Sequence, residues 1–290
     1  MIARAAALLL GLAGFATTVG AQRARCDDAR GVTATRVAVG TAFVGANLGL
    51  YEYFRRAWWS GERADGLWVN WEGHQWFRGQ DKLGHAWGGY HLTRVSDALL
   101  RAACVREPAA VWWGAAYAAA FQLQIEVWDG LQADYGFSPP DLIANSAGAA
   151  LAVAQHFRPA LRAVKPTVSY NPTAAYDKRI GELRPTVDYS GQTYWLTFDV
   201  DSLLPAAAKP FWPSLLRLSV GHSITDWIDP VTGDERYARR KFVLSVDIDP
   251  GKLPGDHPLW KRVKHELSYY RFPAPALVLT PRLDGIAWYR

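Results

Sequence analysis

Three short stretches of the chain carry ionisable side chains at helical spacing within largely apolar sequence. In the first, Asp81 and His85 are four residues apart, and Lys82 follows Asp81. A carboxylate one helical turn from an imidazole can fix its tautomer and raise its basicity. This stretch therefore predicts His85 as a general base, Asp81 as the group that orients it, and Lys82 as a cation for substrate phosphate.

The second stretch carries Gln122, Glu126 and Asp129 at positions i, i+4 and i+7 of a predicted helix. Glu126 lies deep in the apolar run, where an unpaired carboxylate is strongly disfavoured. It needs partners, and His85, Lys82 and Asn145 are the best available. Glu126 and Asp129 are candidates for a general acid or for ligands of a hard divalent ion such as Mg²⁺, although the residues define no particular cofactor.

The third stretch contains Ser138, Asp141 and Asn145. Ser138-Pro139-Pro140-Asp141 resembles a capping box, which favours structural roles for Ser138 and Asp141. Asn145 and Gln122 are expected to support the ionisable groups. Asp81 and Asp129 could likewise lie at helix ends, and His85 could be an ordinary core histidine. We call the polar residues of these three stretches the polar centre, and they are interpreted as either catalytic or structural.

The elements that must position these residues are apolar helices followed by strands. The pattern predicts an α+β fold, with a bundle of about four helices and a smaller β-rich module. The predicted divisions are a signal peptide at 1–21, the bundle at 33–158, a proline-containing linker at 159–190 and the β-rich module at 191–290. The helix over 35–54 is long enough to span a bilayer, but a buried bundle helix explains its Thr, Asn and Gly content equally well.

The β-rich module shows alternation of period two in at least two segments, 194–201 and 242–249. We expect four or five strands, and a short covering helix over 257–270. Such a sheet must bury its apolar face on the helices, on a partner or on lipid. The aspartates that alternate with the apolar residues are expected at a solvated rim rather than at a calcium site; they are Asp199, Asp201, Asp247 and Asp249.

Composition and charge restrict the partners and the compartment. The chain has 290 residues, 50% hydrophobic and 20% charged, with a net charge of +5. It has no long run of Lys and Arg, so nucleic acid is not expected as a partner, whereas a membrane surface or lipid is. The aromatic and basic stretch over 51–80 fits a membrane interface or a lid over the helices. The signal peptide predicts export to the periplasm or envelope, where Cys26 and Cys104 could pair or stay as buried thiols.

These motifs resemble those of the YfiM-like family of uncharacterised bacterial envelope proteins, which is related in motif to VanZ-like proteins. The resemblance is carried by Asp81-Lys82-x-x-His85, Glu126-x-x-Asp129-Gly130 and Gly136-Phe137-Ser138-x-x-Asp141, continuing to Asn145 and Gly148. It implies an envelope or membrane-associated protein without an established activity. The chain departs from lipoprotein members because no Cys sits directly at the predicted signal cleavage site, and Cys26 comes too late to be the acylated residue.

Two functions follow as hypotheses. The first is a membrane-proximal enzyme or transfer factor that acts on a lipid or cell-wall intermediate. The second is a non-enzymatic envelope scaffold or binding protein in which a buried ion network fixes the helix register. The identity of any protein partner is not indicated by the sequence.

Overall fold

A computed structural model describes residues 26, 29–71, 75–173, 185–229 and 231–289. This part of the chain contains six α-helices and one sheet of six antiparallel strands. The predicted α+β class is therefore confirmed. The predicted signal peptide at 1–21 lies outside the described residues.

Four long helices come first in the chain, as the apolar pattern predicts. Their bounds are α1 Ala29–Ala57, α2 Gln80–Ala102, α3 Ala109–Asp129 and α4 Pro139–Phe157. The shorter helices α5 Val200–Leu203 and α6 Pro258–Leu267 accompany the sheet. Helix α6 corresponds to the covering helix expected over 257–270.

The chain divides into two compact units. The first comprises Met1–Gly73 and Gly88–His156, and the second His74–Trp87 and Phe157–Arg290. Helix α2 runs through the division as one uninterrupted helix. The predicted domain boundaries stay a prediction.

Small residues bring the helices of the first unit close together. A Cβ atom at Gly89 would collide with the backbone oxygen of Asn145 on α4, and one at Gly114 would lie 2.9 Å from the backbone oxygen of Thr93 on α2. An apolar cluster joins α1 to α3 through Phe54, Trp59 and Phe121. The close packing expected from the Gly and Ala content is therefore present.

The aromatic residues of the stretch over 51–80 do not form one continuous surface, because some are buried and others are exposed. Trp59 is buried, and Trp68 donates a hydrogen bond to the Gln132 carbonyl at 2.8 Å, as a lid over the helices would require. Trp71 is 69% exposed. Phe77 packs in the second unit against Trp227. The lid interpretation therefore fits the residues near the end of α3.

None of the helices in the described part of the chain combines the length and the apolar character needed to cross a bilayer. The membrane-spanning interpretation of 35–54 is therefore unsupported. This segment is part of α1, which also carries polar residues such as Arg36 and Asn47. Near the start of α1, Cys26 forms a disulfide with Cys104, so the pairing that the sequence left open is present.

The strands follow one another in the sheet in chain order. Their bounds are β1 Val164–Tyr170, β2 Gln192–Phe198, β3 Leu216–Ile224, β4 Arg240–Ile248, β5 Ala274–Val278 and β6 Asp284–Tyr289. Strand β1 lies inside the segment predicted as a linker, so a strand is present there that the sequence did not predict. Pro166 obscured it, because proline within a short run argues against a strand, yet β1 accommodates it.

The face of the sheet that is buried is largely polar. Thr167, Thr197 and Ser219 are each at most 1% exposed and form a hydrogen-bonded ladder with oxygen–oxygen distances of 2.9 Å. The ladder ends at Asp247, which accepts from the Ser219 hydroxyl at 3.0 Å. Asp247 and Asp249 are buried, so the expected solvated rim is wrong for this pair.

An apolar cluster shares this buried face with the polar ladder. Trp195 packs with Val243 and Val278, and the Arg271 guanidinium lies over its ring, 3.8 Å from the centroid. Burial lowers the pKa of Arg271 to about 10. The buried face of the sheet therefore combines hydrogen-bonded polar groups, paired charges and a small apolar cluster around Trp195.

Candidate metal centre

Glu126, on α3, contacts the residues at the start of α4. Ser138 precedes α4, and its hydroxyl accepts a hydrogen bond from the Asp141 backbone N–H at 3.3 Å, which confirms the predicted N-cap. The Ser138 backbone N–H donates to Glu126 Oε2 at 3.2 Å. Glu126 is fully buried and Asp141 is 7% exposed. Both carboxyl groups are therefore held inside the protein near one helix terminus.

Gln122 of α3 and Asn145 of α4 connect the two helices one turn away from the carboxylates. Gln122 Nε2 donates to Asn145 Oδ1 at 2.5 Å, and both side chains are buried. They lie one turn from Glu126 and Asp141 respectively, since each pair is four residues apart. Gly88 and Gly89 of α2 pack against these two residues. The supporting roles expected of Gln122 and Asn145 agree with these contacts.

His85 belongs to the same face of α2 as Gly88 and Gly89, because it precedes them by three and four residues. Its ring nitrogen and one carboxylate oxygen each of Glu126 and Asp141 all lie within 4.8 Å of one another. His85 is half-buried, whereas the two carboxylates are buried. A divalent cation can take imidazole nitrogen and carboxylate oxygen as ligands, so the three residues could hold one.

Asp81 and Lys82 precede His85 by one turn of α2. The Lys82 ammonium forms a salt bridge with Asp81 Oδ2 at 2.7 Å. Burial, with a smaller contribution from the Asp81 carboxylate, raises the pKa of the Tyr194 hydroxyl. The predicted orientation of His85 by Asp81 stays a prediction.

Asp129 is not among the three grouped residues. Its carboxylate accepts a hydrogen bond from the Trp59 indole at 2.5 Å, and its carbonyl accepts from the Gly136 N–H at 2.9 Å. These contacts fasten the aromatic stretch and the loop that follows α3. Its predicted catalytic role stays a prediction.

The sequence predicts a structural or supporting role for Asp141, mainly that of a helix-capping residue. The capping pattern explains its place at the start of α4 but does not show which way its carboxylate points. A signal was available in its spacing, because Asp141 lies one turn from Asn145 just as Glu126 lies one turn from Gln122. The grouping of His85 with Glu126 was expected; the inclusion of Asp141 is new.

One comparison with known proteins gives a match, and it covers the candidate site. Residues 68–156 match the model of a family described as "Predicted periplasmic lipoprotein (DUF2279)". The matched region contains α2 and α3 entirely, nearly all of α4, and every candidate residue from Asp81 to Asn145. Among curated proteins and among solved structures, no match is found.

The description supports the broader part of the resemblance, an uncharacterised family of the cell envelope. It confirms the predicted localisation, which is export to the periplasm and association with the envelope. The narrower resemblance to YfiM-like and VanZ-like proteins stays a prediction.

Proposed function

We propose that this chain is an envelope enzyme or transfer factor that binds a hard divalent cation at His85, Glu126 and Asp141 and acts on a phosphate-bearing lipid or cell-wall intermediate. One observation carries the proposal: an imidazole and two buried carboxylates offer ligand atoms within 4.8 Å of one another. The family description, a predicted periplasmic lipoprotein, supports the location near a membrane.

The donor set favours a cation such as Mg²⁺ or Mn²⁺. Carboxylate oxygens are the ligands that these ions prefer, whereas structural zinc sites are usually completed by several Cys or His residues. Two ionised carboxylates at this separation repel each other, and a cation bound by both would relieve the repulsion. A bound divalent ion would polarise a phosphoryl or carbonyl oxygen.

The remaining residues would position the substrate. The Lys82 side chain, which is 24% exposed and forms a salt bridge with Asp81, would supply the positive charge for a substrate phosphate. Gln122 and Asn145 would hold α3 and α4 in register through their mutual hydrogen bond. In this scheme Asp81 and Lys82 face the substrate, and the buried carboxylates face the cation.

Thermal unfolding with and without Mg²⁺ or Mn²⁺ tests the cation site. A ligand present at 100 times its Kd stabilises the folded state by about 2.7 kcal/mol, so the melting temperature should rise on adding the ion and fall with EDTA. His85→Ala and Glu126→Gln should abolish this shift. Asp97→Asn is the matched control, because Asp97 is also a buried carboxylate of α2 but is bound by Arg101 at 2.8 Å.

The control variant should keep the metal-dependent shift, even if its starting melting temperature is lower. A wild-type protein whose melting temperature responds to neither ion nor to EDTA would remove the cation from the proposal.

A structural scaffold is the second candidate function. It is favoured by the two hydrogen bonds that tie α3 to α4, from Ser138 to Glu126 and from Gln122 to Asn145. In a scaffold, Glu126→Gln would lower the melting temperature without any metal-dependent change. The same thermal measurements therefore distinguish the two functions.

A further inference from the structure

The sheet places its aliphatic side chains on the face opposite the polar interior. We call this the outer face. Its large apolar residues are each between 39% and 49% exposed; they are Leu196, Leu218, Val220, Phe242, Leu244, Val246, Ile248, Leu277 and Leu279. Antiparallel sheets with one solvated face usually show the reverse, with apolar residues inside and polar residues outside.

The residues of the outer face form one continuous patch. Leu196, Val220, Leu244 and Leu277 stand directly opposite one another across β2, β3, β4 and β5. Leu218 and Val246 form the next cross-strand pair. Side chains opposite each other in a sheet are about 4.5–5.5 Å apart at Cβ, so these residues touch their neighbours.

Charged side chains do not interrupt this patch within the described strands β3 and β4. The outward positions of β4 from Phe242 to Ile248 are all apolar, and those of β3 from Leu216 to Val220 are too. At the next position His222 bonds to Gln80 of α2 at 2.7 Å, which marks where α2 covers the end of the face. An exposed apolar surface of this extent indicates a binding surface.

The polar inner face shows that the aliphatic residues of the outer face do not belong to a core on the other side of the sheet. The inward side chains of the same strands have their own polar partners, in the ladder through Thr197 and Ser219 and in the salt bridge of Arg217 with Asp247. The alternation of the strands is thus consistent from end to end, with the apolar side facing outward. Such a pattern fits a sheet whose surroundings are apolar.

The borders of the patch favour lipid as those surroundings. Lys209 and Phe211 shortly precede β3 at its Leu216 end, and Phe211 is 87% exposed. Tyr237 and Arg240 precede Phe242 at the other end; both are exposed, although Tyr237 also packs on Trp76 and Arg240 donates to the Arg78 carbonyl. Aromatic and cationic side chains at both edges of an apolar band are typical of the boundary between hydrocarbon and headgroups. The band from Phe242 to Ile248 is about 20 Å long at about 3.3 Å per residue.

We propose that the outer face of the sheet rests on one leaflet of an envelope membrane, with its aliphatic side chains inserted among the acyl chains and its aromatic and cationic borders, like the backbone edges of the sheet, at the level of the headgroups. The proposal goes beyond the proposed function and does not depend on the cation site. It specifies the surface that touches lipid, which the family description leaves open.

Spin labelling of the full chain in phosphatidylethanolamine and phosphatidylglycerol vesicles tests this surface. Leu244→Cys places a nitroxide at the centre of the outer face, and Leu259→Cys places one at a 60% exposed leucine of α6 as the matched control. Cys26 and Cys104 are already joined, so only the introduced thiol reacts when reductant is omitted. Collisions with oxygen, which dissolves in lipid, are compared with collisions with a water-soluble nickel complex.

The label at position 244 should collide with oxygen more than with the nickel complex, and the label at 259 should show the opposite preference. Contact of the label at 244 with the nickel complex, as for the control, would mean that the face meets water. Shielding of that label from both reagents would mean that protein covers it, for example a second copy of the chain. Either result would overturn the proposal.

Discussion

Arg217 shows how a charge is accommodated inside the sheet at the scale of one residue. It is 1% exposed, and its guanidinium donates to Asp247 Oδ2 from Nε at 3.2 Å and from Nη2 at 3.0 Å. The remaining donors reach the carbonyl oxygens of Ser268 at 2.7 Å and Tyr270 at 3.2 Å. Because Arg presents its donors in a rigid fork, one residue can satisfy partners on β4 and beyond α6.

Replacing Arg217 alone should be costly, because Asp247 would be left as a buried charge without its main partner. We expect Arg217→Met to lower the free energy of unfolding by about 3–5 kcal/mol, measured by urea denaturation. The double variant Arg217→Met with Asp247→Leu should recover much of that loss, since it removes both charges. A single variant that costs less than about 1 kcal/mol would contradict a buried pair of this kind.

At the scale of elements, the approach of α2 to α4 depends on Gly89. A side chain at this position would meet the Asn145 carbonyl, so the two helices could not keep their present separation. This contact also involves Gln122 of α3, whose side chain is hydrogen-bonded to Asn145 of α4. The spacing of the helices and the geometry of the polar centre are therefore linked.

We expect Gly89→Ala to lower the melting temperature, because overpacking a close contact costs about 1–3 kcal/mol. Gly45→Ala is the matched control: Gly45 lies inside α1, and a Cβ there has no atom within 4 Å. The control should be neutral or stabilising by up to about 1 kcal/mol, because alanine favours a helix more than glycine does. Equal effects of the two substitutions would show that the contact with α4 is unimportant.

The elements were more predictable from the sequence than their orientations. Apolar residues at helical spacing predict α2, α3 and α4 to within a few residues. Alternation predicts β2 and β4, but it does not tell which of two alternating faces is buried. In β4 the buried set is Val243, Ser245 and Asp247, and only the cross-strand partners of these residues explain why.

The candidate site was predictable to a similar degree. Helical spacing placed His85 on one helical face and Glu126 on another, and the unfavourable burial of Glu126 indicated that it needs partners. Which carboxylate would join them depends on the relative rotation of α3 and α4, which the local spacing does not specify. For this reason the sequence favours Asp129 over Asp141 as the functional carboxylate, whereas the structure groups Asp141 with His85 and Glu126.

At the scale of the whole molecule, the disulfide agrees with the exported location. Cys26 and Cys104 are 78 residues apart in sequence and close a loop that contains all of α1 and α2. A cross-link over a loop of this length restricts the unfolded chain more than the folded one. Such a bond persists in the oxidising periplasm and is uncommon in the cytoplasm.

Removing the disulfide should therefore destabilise the protein. We expect Cys104→Ser to lower the free energy of unfolding by about 2–4 kcal/mol and to make the melting temperature insensitive to dithiothreitol. Wild-type protein should melt at a lower temperature when the reductant is present. A wild-type melting curve that is unchanged by full reduction would contradict a stabilising role for the bond.

The chain-order arrangement of the sheet has a consequence for how an exported protein acquires its structure. Each strand from β2 to β6 pairs with the strand that immediately precedes it. During translocation the polypeptide arrives progressively, and every new strand finds a template that has already crossed. Pairing can thus follow the direction of secretion, because each strand needs only its predecessor and not a search across the full length of the chain.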